Sequence, residues 1–323
     1  MTAHVPTSTG RRAVRLGTRA SALARAQSGL VADALSGSTG GPVELVEITT
    51  AGDRSTRAVA ELGGTGVFVS ALRDALLAGD IDLAVHSYKD LPTAPAPGLV
   101  LAAVPAREDP RDVLVARDGA RLDDLPAGAR IGTGAPRRMA QLRAYRRDLD
   151  VVPVRGNVDT RVGKVADGTL DAVVLARAGL ARLGRMDAVT EVLDPDRLLP
   201  APAQGALAIE CRADDTALRS ALAALEHPEA RATVTAERAL LAALEAGCSA
   251  PVGALATLDA AEAADPVRPR TALVLRGIVA AIDGSAVVRL STTGTITDAE
   301  EVGRRLAADL LAAGVSNLLG SSR

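Results

Sequence analysis

Short apolar runs alternate with helical patterns from residue 14 onward. VRL (14–16) passes through GTRAS into an amphipathic stretch from Ser21 to about Leu35, and VELVEIT (43–49) follows as a strand. A long loop with several glycines, 50–66, leads to a helical pattern at 68–80 that ends at Gly79. IDLAV (81–85) has the continuous apolar character of a buried strand and runs directly into HSYKDLP. The rhythm restarts after PAREDPRDVLVA (105–116), with strands at 129–132, 151–154 and 170–176 and helices opening at GAPRR and RGNVDTR. Strand–helix–strand alternation of this kind predicts parallel α/β architecture.

The remainder reads differently. LLPAPAQGALAIECR (198–212) supplies one more strand, which either closes the second α/β unit or returns to the first. A long helix is expected over 227–247, stopped by Gly247. Two strands within 271–292 flank Asp283-Gly284, a strong hairpin signal, and an amphipathic helix over 297–313 closes the chain. The tail is therefore expected to be a small α+β unit. No solenoid period is present.

The 323 residues are enough for two or three domains, and 48% hydrophobic with 24% charged residues excludes disorder along the whole chain. Phe68, Tyr88 and Tyr145 are the only aromatics, too few for a stacking platform for single-stranded nucleic acid. A net charge of -2 provides no global field for a polyanion. The first residues lack the apolar core of a signal peptide, and no apolar run approaches the roughly 20 residues of a membrane span, so a cytoplasmic protein is expected. Three scattered His and two distant Cys give no metal-ligand spacing.

Ligands of open α/β sheets bind beyond the carboxyl ends of the strands. The predicted strands deliver Arg19 and Ser21; His86, Ser87, Lys89 and Asp90; Thr133, Arg137 and Arg138; Arg155, Asn157 and Arg161; and Arg177, with Arg182 shortly after. Residues 130–161 hold eight Arg against three Asp, 8 − 3 = +5. Guanidinium forks match carboxylate or phosphate bidentately, so these strand ends describe a site for a multiply anionic ligand, with surface Arg at helix ends as the plainer alternative. GGTG (63–66) lacks the GK[ST] ending of a phosphate loop, and a mobile lid is the better expectation for 50–66. Asp90, beside Lys89, is expected to stay ionised and hold a cationic centre, unless it merely caps the turn before Pro92. Cys211 falls in an apolar strand and reads as a core thiol. Cys248 follows a helix C-terminus in an accessible loop, which does not favour a thiolate and suits a stable thioether better than a nucleophile.

These residues carry a resemblance to the hydroxymethylbilane synthase (porphobilinogen deaminase) family. Its markers are RLGTRASALARAQ (15–27), HSYKDLPT within 64–93, REDPRDVLV (107–115), TGAPRR (133–138), VRGNVDTR (154–161), LARAGLARLG (175–184), PAQGALAIECR (202–212) and GCSAPVGA (247–254). The resemblance implies two solute-binding-protein-like α/β domains plus a small α+β third domain. It divides the chain into 12–105 with 206–223, 106–205, and 224–323. It implies head-to-tail condensation of four porphobilinogen molecules with loss of ammonia, on a dipyrromethane primer held as a thioether. The product, 1-hydroxymethylbilane, passes to the next tetrapyrrole-pathway enzyme. Cys248 matches the attachment position and Asp90 the catalytic acid. Lys89, Arg19, Ser21, Thr133, Arg137 and Arg138 match cofactor-binding positions; Arg19, Arg155, Arg161, Arg182 and Phe68 match substrate-binding ones. No metal, nucleic acid or membrane partner is implied, and a monomer is expected.

The sequence departs from the common pattern at Gly134 and Ala135, where Ser is frequent, at Thr65, where Lys is frequent, and at Asp159, where Gly is frequent. A non-catalytic two-lobed anion-binding protein would share the fold and the Arg-lined cleft, but would have no use for Cys248.

Overall fold

The computed structural model describes residues 12–48, 66–247, 250–259 and 272–319, without the side chains of 66–68 and 259. The expected lid at 50–66 thus lies almost wholly outside the described residues, as do Cys248 and the side chain of Phe68.

Three sheets organise the described residues. The first takes β1 (Val14–Thr18), β2 (Val43–Glu47), β3 (Leu83–Ser87), β4 (Leu99–Ala103) and β10 (Leu207–Arg212), in the order β2-β1-β3-β10-β4. The second takes β5 (Asp112–Ala116), β6 (Arg130–Thr133), β7 (Asp150–Pro153), β8 (Ala172–Ala176) and β9 (Glu191–Val192), in the order β7-β6-β8-β5-β9. Pairing is parallel for β2-β1-β3 and β7-β6-β8. It is antiparallel where β10 meets β3 and β4 and where β5 meets β8 and β9. Both sheets are therefore mixed: parallel over three strands, as the strand–helix alternation predicts, and antiparallel over the rest. An apolar run buried on both faces reads the same in either direction, so the pattern does not carry strand polarity. The open choice for 198–212 resolves in favour of the first sheet, and only Leu207–Arg212 of that run is strand.

Helices α1 (Ala22–Thr39), α2 (Gly66–Ala78) and α6 (Thr216–Leu222) accompany the first sheet; α3 (Pro136–Tyr145), α4 (Val158–Ala166) and α5 (Arg177–Arg182) accompany the second. Helix α1 runs past the expected end near Leu35. The hydroxyls of Ser38 and Thr39 donate back to Leu35 O, and the helix stops at Gly40, whose φ is 65°. Leu16, Val31, Leu35, Leu83, Ile209 and Cys211 form one core, and Leu114, Ile131, Leu142, Val151 and Val174 another. Burial pushes the Cys211 thiol up to about 11, as suits a core thiol.

The third sheet is an antiparallel meander of β11 (Val252–Asp259), β12 (Ala272–Ala280) and β13 (Val287–Thr295). Helices α7 (Pro228–Ala243) and α8 (Ala299–Ala312) cover it through Leu240, Leu306 and Leu310. Strand β11 had no counterpart in the sequence reading, which left its first residues in a loop. The predicted stop of α7 at Gly247 is also corrected. Glu245 takes the left-handed position, with φ 51°, while Glu245 N–H and Ala246 N–H donate to Ala242 O and Leu241 O. This is a Schellman closure without glycine. The Asp283-Gly284 hairpin forms as expected. Gly284, with φ 78°, lies so close to α3 that a Cβ there would meet Ala144 N at 2.6 Å, so the turn docks on the second unit.

Candidate functional site

Cys248 and the side chain of Phe68 aside, the predicted site residues sit at or after the carboxyl ends of strands. Ser21 is the N-cap of α1, its hydroxyl accepting from Ala24 N at 3.3 Å, and Arg19 is half-buried before it. Strand β3 ends in a 3-10 turn, Tyr88–Asp90, that leaves Asp90 exposed. Strand β6 ends at Thr133, fully buried, whose Oγ1 accepts from Ala135 N at 3.4 Å; Pro136 then opens α3 without needing a donor. Asn157 caps α4 through Thr160 N, placing Arg161 in its first turn.

The loop that returns the chain to β10 ties these ends together. Gln204 Oε1 accepts from Lys89 Nζ at 3.3 Å and from Arg137 Nη2 at 3.1 Å, and its Nε2 donates to Asp112 Oδ1 at 2.7 Å. The next residue, Gly205, accepts from Arg182 Nη2 through its carbonyl at 2.6 Å. Gly205 has φ 88°, and a Cβ there would stand 2.3 Å from Glu108 O, so only glycine permits this crossing of the two chain segments. Lys89, Arg137 and Arg182 are thus gathered around one short segment, and Arg138 joins them through Asp112. Arg155 is exposed at the end of the loop after β7.

Sequence reasoning missed the anchor of this cluster. Asp112, fully buried at the head of β5, accepts from Arg137 Nη1 and Nη2 at 2.7 and 3.1 Å and from Arg138 Nη2 at 2.7 Å. Arg137 also donates to Leu199 O and Arg138 to Val174 O. Burial alone would raise the Asp112 carboxyl, but Arg137 and Arg138 override it and hold the group well below the usual carboxylate range. An acid heading a run as apolar as VLVA was the available signal. Gln204 carried none.

The forks of Arg137 and Arg138 are therefore largely occupied within the protein, more so than the ligand-facing role expected of them. Three donors nevertheless stay open: the buried Nε–H groups of Arg137, Arg138 and Arg161 have no hydrogen-bond partner. Burial also pushes Arg161 downward, and the nearby Arg138 adds to this, with no carboxylate opposing it. Burial pushes Lys89 down to about 8, although Asp90 works against it. Buried cations with open N–H groups fit a polycarboxylate. A Cβ at Gly134 would lie 2.8 Å from Val154 O and 3.5 Å from Arg161 Nη2, so the Ser of the common pattern has no room here without a shift.

Fold and site together define a two-sheet α/β protein with a third, sheet-bearing unit and a cluster of buried cations at its strand ends. A solved periplasmic substrate-binding protein of an ABC transporter from Coxiella burnetii is 14% identical, with a TM-score of 0.42, covering 70% of this chain and 96% of that one. The family model for the dipyrromethane cofactor binding domain of porphobilinogen deaminase matches residues 14–220, and the model for that family's C-terminal domain matches 231–312. The chain belongs to the porphobilinogen deaminase family. Porphobilinogen deaminase 1 of Streptomyces coelicolor is 62% identical over 318 residues, covering 96% of this chain and 98% of that protein. The porphobilinogen deaminase of Thermobifida fusca is 56% identical over 316 residues, covering 95% and 96%.

Proposed function

We propose that this chain is a hydroxymethylbilane synthase, a transferase that joins four porphobilinogen molecules with loss of ammonia on a dipyrromethane carried by Cys248. The observation that carries this reading is the group of under-compensated buried cations, Arg137, Arg138 and Arg161, at the same strand ends as Lys89 and Asp90. The dipyrromethane, when bound, supplies the nucleophilic pyrrole carbon. Loss of ammonia breaks the aminomethyl C–N bond of the incoming substrate and leaves a cationic azafulvenium. The Asp90 carboxylate, fixed by its turn, stabilises that charge through the pyrrole N–H. The primer carbon would close the new C–C bond and lose its proton to solvent. Arg161, Arg182 and the exposed Arg155 receive the acetate and propionate groups of successive rings, while Lys89 and the Nε–H groups of Arg137 and Arg138 hold those of the primer. Arg19, Ser21 and Thr133 are assigned primer contacts, and Phe68 a substrate contact, from the family resemblance.

The division into 12–105 with 206–223, 106–205 and 224–323 goes with this reading, supported by the return of β10 to the first sheet. Thioether formation needs Cys248 as a free thiol, which suits the reducing cytoplasm. The released 1-hydroxymethylbilane goes to the next tetrapyrrole enzyme, and one chain with one primer suffices for the reaction.

The test is the intact mass of the purified protein beside Cys248→Ser and Cys211→Ser variants. An excess of two pyrrole units, lost only in Cys248→Ser, is expected. A bare mass that added porphobilinogen does not raise would overturn the reading in favour of a non-catalytic anion-binding protein.

A further inference from the structure

Arg238 lies on α7 of the third unit, one residue after Glu237 and ten before Cys248 (248 − 238 = 10). Its neighbour makes the joint rigid. The Glu237 carboxylate, fully buried, accepts from Arg107 Nη1 and Nη2 at 2.7 and 2.9 Å, from Ala203 N at 2.6 Å and from Ala256 N at 2.8 Å. Arg238 is turned toward the first unit. Its Nη1 donates to Tyr88 O at 3.2 Å and Leu91 O at 3.0 Å, and its Nη2 donates to Pro92 O at 2.6 Å. Its Cζ stands 4.5 Å from the centroid of the Tyr88 ring, which is itself buried.

The segment so gripped carries Lys89 and Asp90. Within the 3-10 turn, Leu91 N–H donates to Tyr88 O at 3.2 Å. Arg238 adds donors to three carbonyls of the same segment and packs against its one aromatic side chain. An exposed carboxylate such as Asp90 has no packing of its own to hold it, so its direction follows the backbone of the turn. Three charge-assisted bonds from one planar guanidinium fix that backbone in position and in tilt.

We infer that Arg238 is a positioning residue for Asp90: it locks the Tyr88–Pro92 turn, which carries Asp90, to helix α7 of the third unit. This rests on the reading of Asp90 as the catalytic acid. A merely structural Arg238 would affect stability or loading. A positioning Arg238 affects the chemical step once substrate and primer are in place.

The experiment compares Arg238→Met, Arg238→Lys and Asp90→Asn as loaded holoenzymes, with loading checked by intact mass. For Arg238→Met the expected result is full loading, a KM for porphobilinogen within about twofold of wild type and a kcat lower by roughly 100-fold. Arg238→Lys recovers part of kcat, since an ammonium reaches some of the carbonyls without the fork. Amide hydrogen exchange over 86–95 is faster in Arg238→Met, with exchange of the second sheet unchanged. An unaltered kcat in both Arg238 variants, or a loss of rate that only tracks loading, overturns the inference; if Arg238→Met does not fold, Arg238→Lys alone decides it. Near-normal turnover by Asp90→Asn overturns the Asp90 reading instead, and this inference falls with it for that separate reason.

Discussion

Asp112→Asn removes one negative charge from beneath two buried guanidinium groups. Arg137 and Arg138 are 4% and 5% exposed, and Asp112 is 0% exposed. Asparagine keeps the shape and one carbonyl oxygen, but its amide nitrogen points N–H groups at forks that already donate. Four donated bonds to Asp112 are compromised, from Arg137 (two), Arg138 and Gln204. Removing one partner of a buried ion pair costs about 3–5 kcal/mol, and a carboxylate shared by two guanidinium groups belongs at the upper end. Against a total stability of about 5–15 kcal/mol this is a third or more. In urea, with m near 2–3 kcal/mol/M, the unfolding midpoint is expected to fall by about 1.5–2 M.

The same variant carries an internal check by pH. The folded-state pKa of Asp112 is depressed, so its stabilisation is present above the unfolded-state value and is lost as pH falls through the folded-state one. The gap between wild type and Asp112→Asn is therefore constant from about pH 5 to 8 and closes only below about pH 4. Loading the primer supplies carboxylates to the same arginines, so the gap is smaller for the loaded than for the unloaded protein. A midpoint shift under about 0.3 M would refute the assignment of Asp112 as the anchor of this site. So would a gap that loading leaves unchanged.

Lys89 must be cationic to hold a carboxylate, so affinity of the unloaded protein for polycarboxylate is expected to fall as pH rises through about 8, and titration calorimetry of Lys89→Met should lack that inflection. Its depressed pKa also means that the burial penalty stands in full below about 8 and eases above it; a stability curve for wild type that does not rise relative to Lys89→Met between pH 8 and 10 would contradict the burial. Asp90→Asn, at an exposed turn, should abolish ammonia release while leaving the melting temperature within a degree or two, as checked by ammonia assay and calorimetry. Arg155→Leu should weaken substrate binding without loss of stability; unchanged kinetics would assign Arg155 to the plain surface.

What could be read in the sequence was local. Charged residues directly after apolar runs marked the strand ends, and Asp283-Gly284 marked its hairpin, because turn chemistry is written in adjacent residues. The anchor of the site was not local. Asp112 meets Arg137 across 25 positions and Gln204 across 92, and no spacing rule connects them. Strand direction escaped for a related reason: β10 and β5 are buried on both faces, and nothing in such a run says which way it passes its neighbours. The end of α7 escaped because a glutamate occupies the left-handed position that glycine normally marks.

The balance of charge at the strand ends explains why a site of this kind needs its ligand. Two guanidinium groups share the single carboxylate of Asp112, and the charge that bears most on Arg161 is another arginine. Buried cations held this way raise the free energy of the unloaded protein, because one shared carboxylate replaces only part of the hydration that they have lost. Releasing that energy on binding favours any ligand that brings carboxylates to several points at once. A single acetate meets only one of the open Nε–H groups, whereas a linked pair of rings meets several and does so in one association step. On the proposed reading, a covalently held primer would exploit the same arithmetic, since attachment would make its carboxylates intramolecular to the arginines. The mixed sheets serve this end directly, since the return of the chain through Gln204 and Gly205 brings Lys89 of the first sheet within reach of Arg137 and Arg182 of the second.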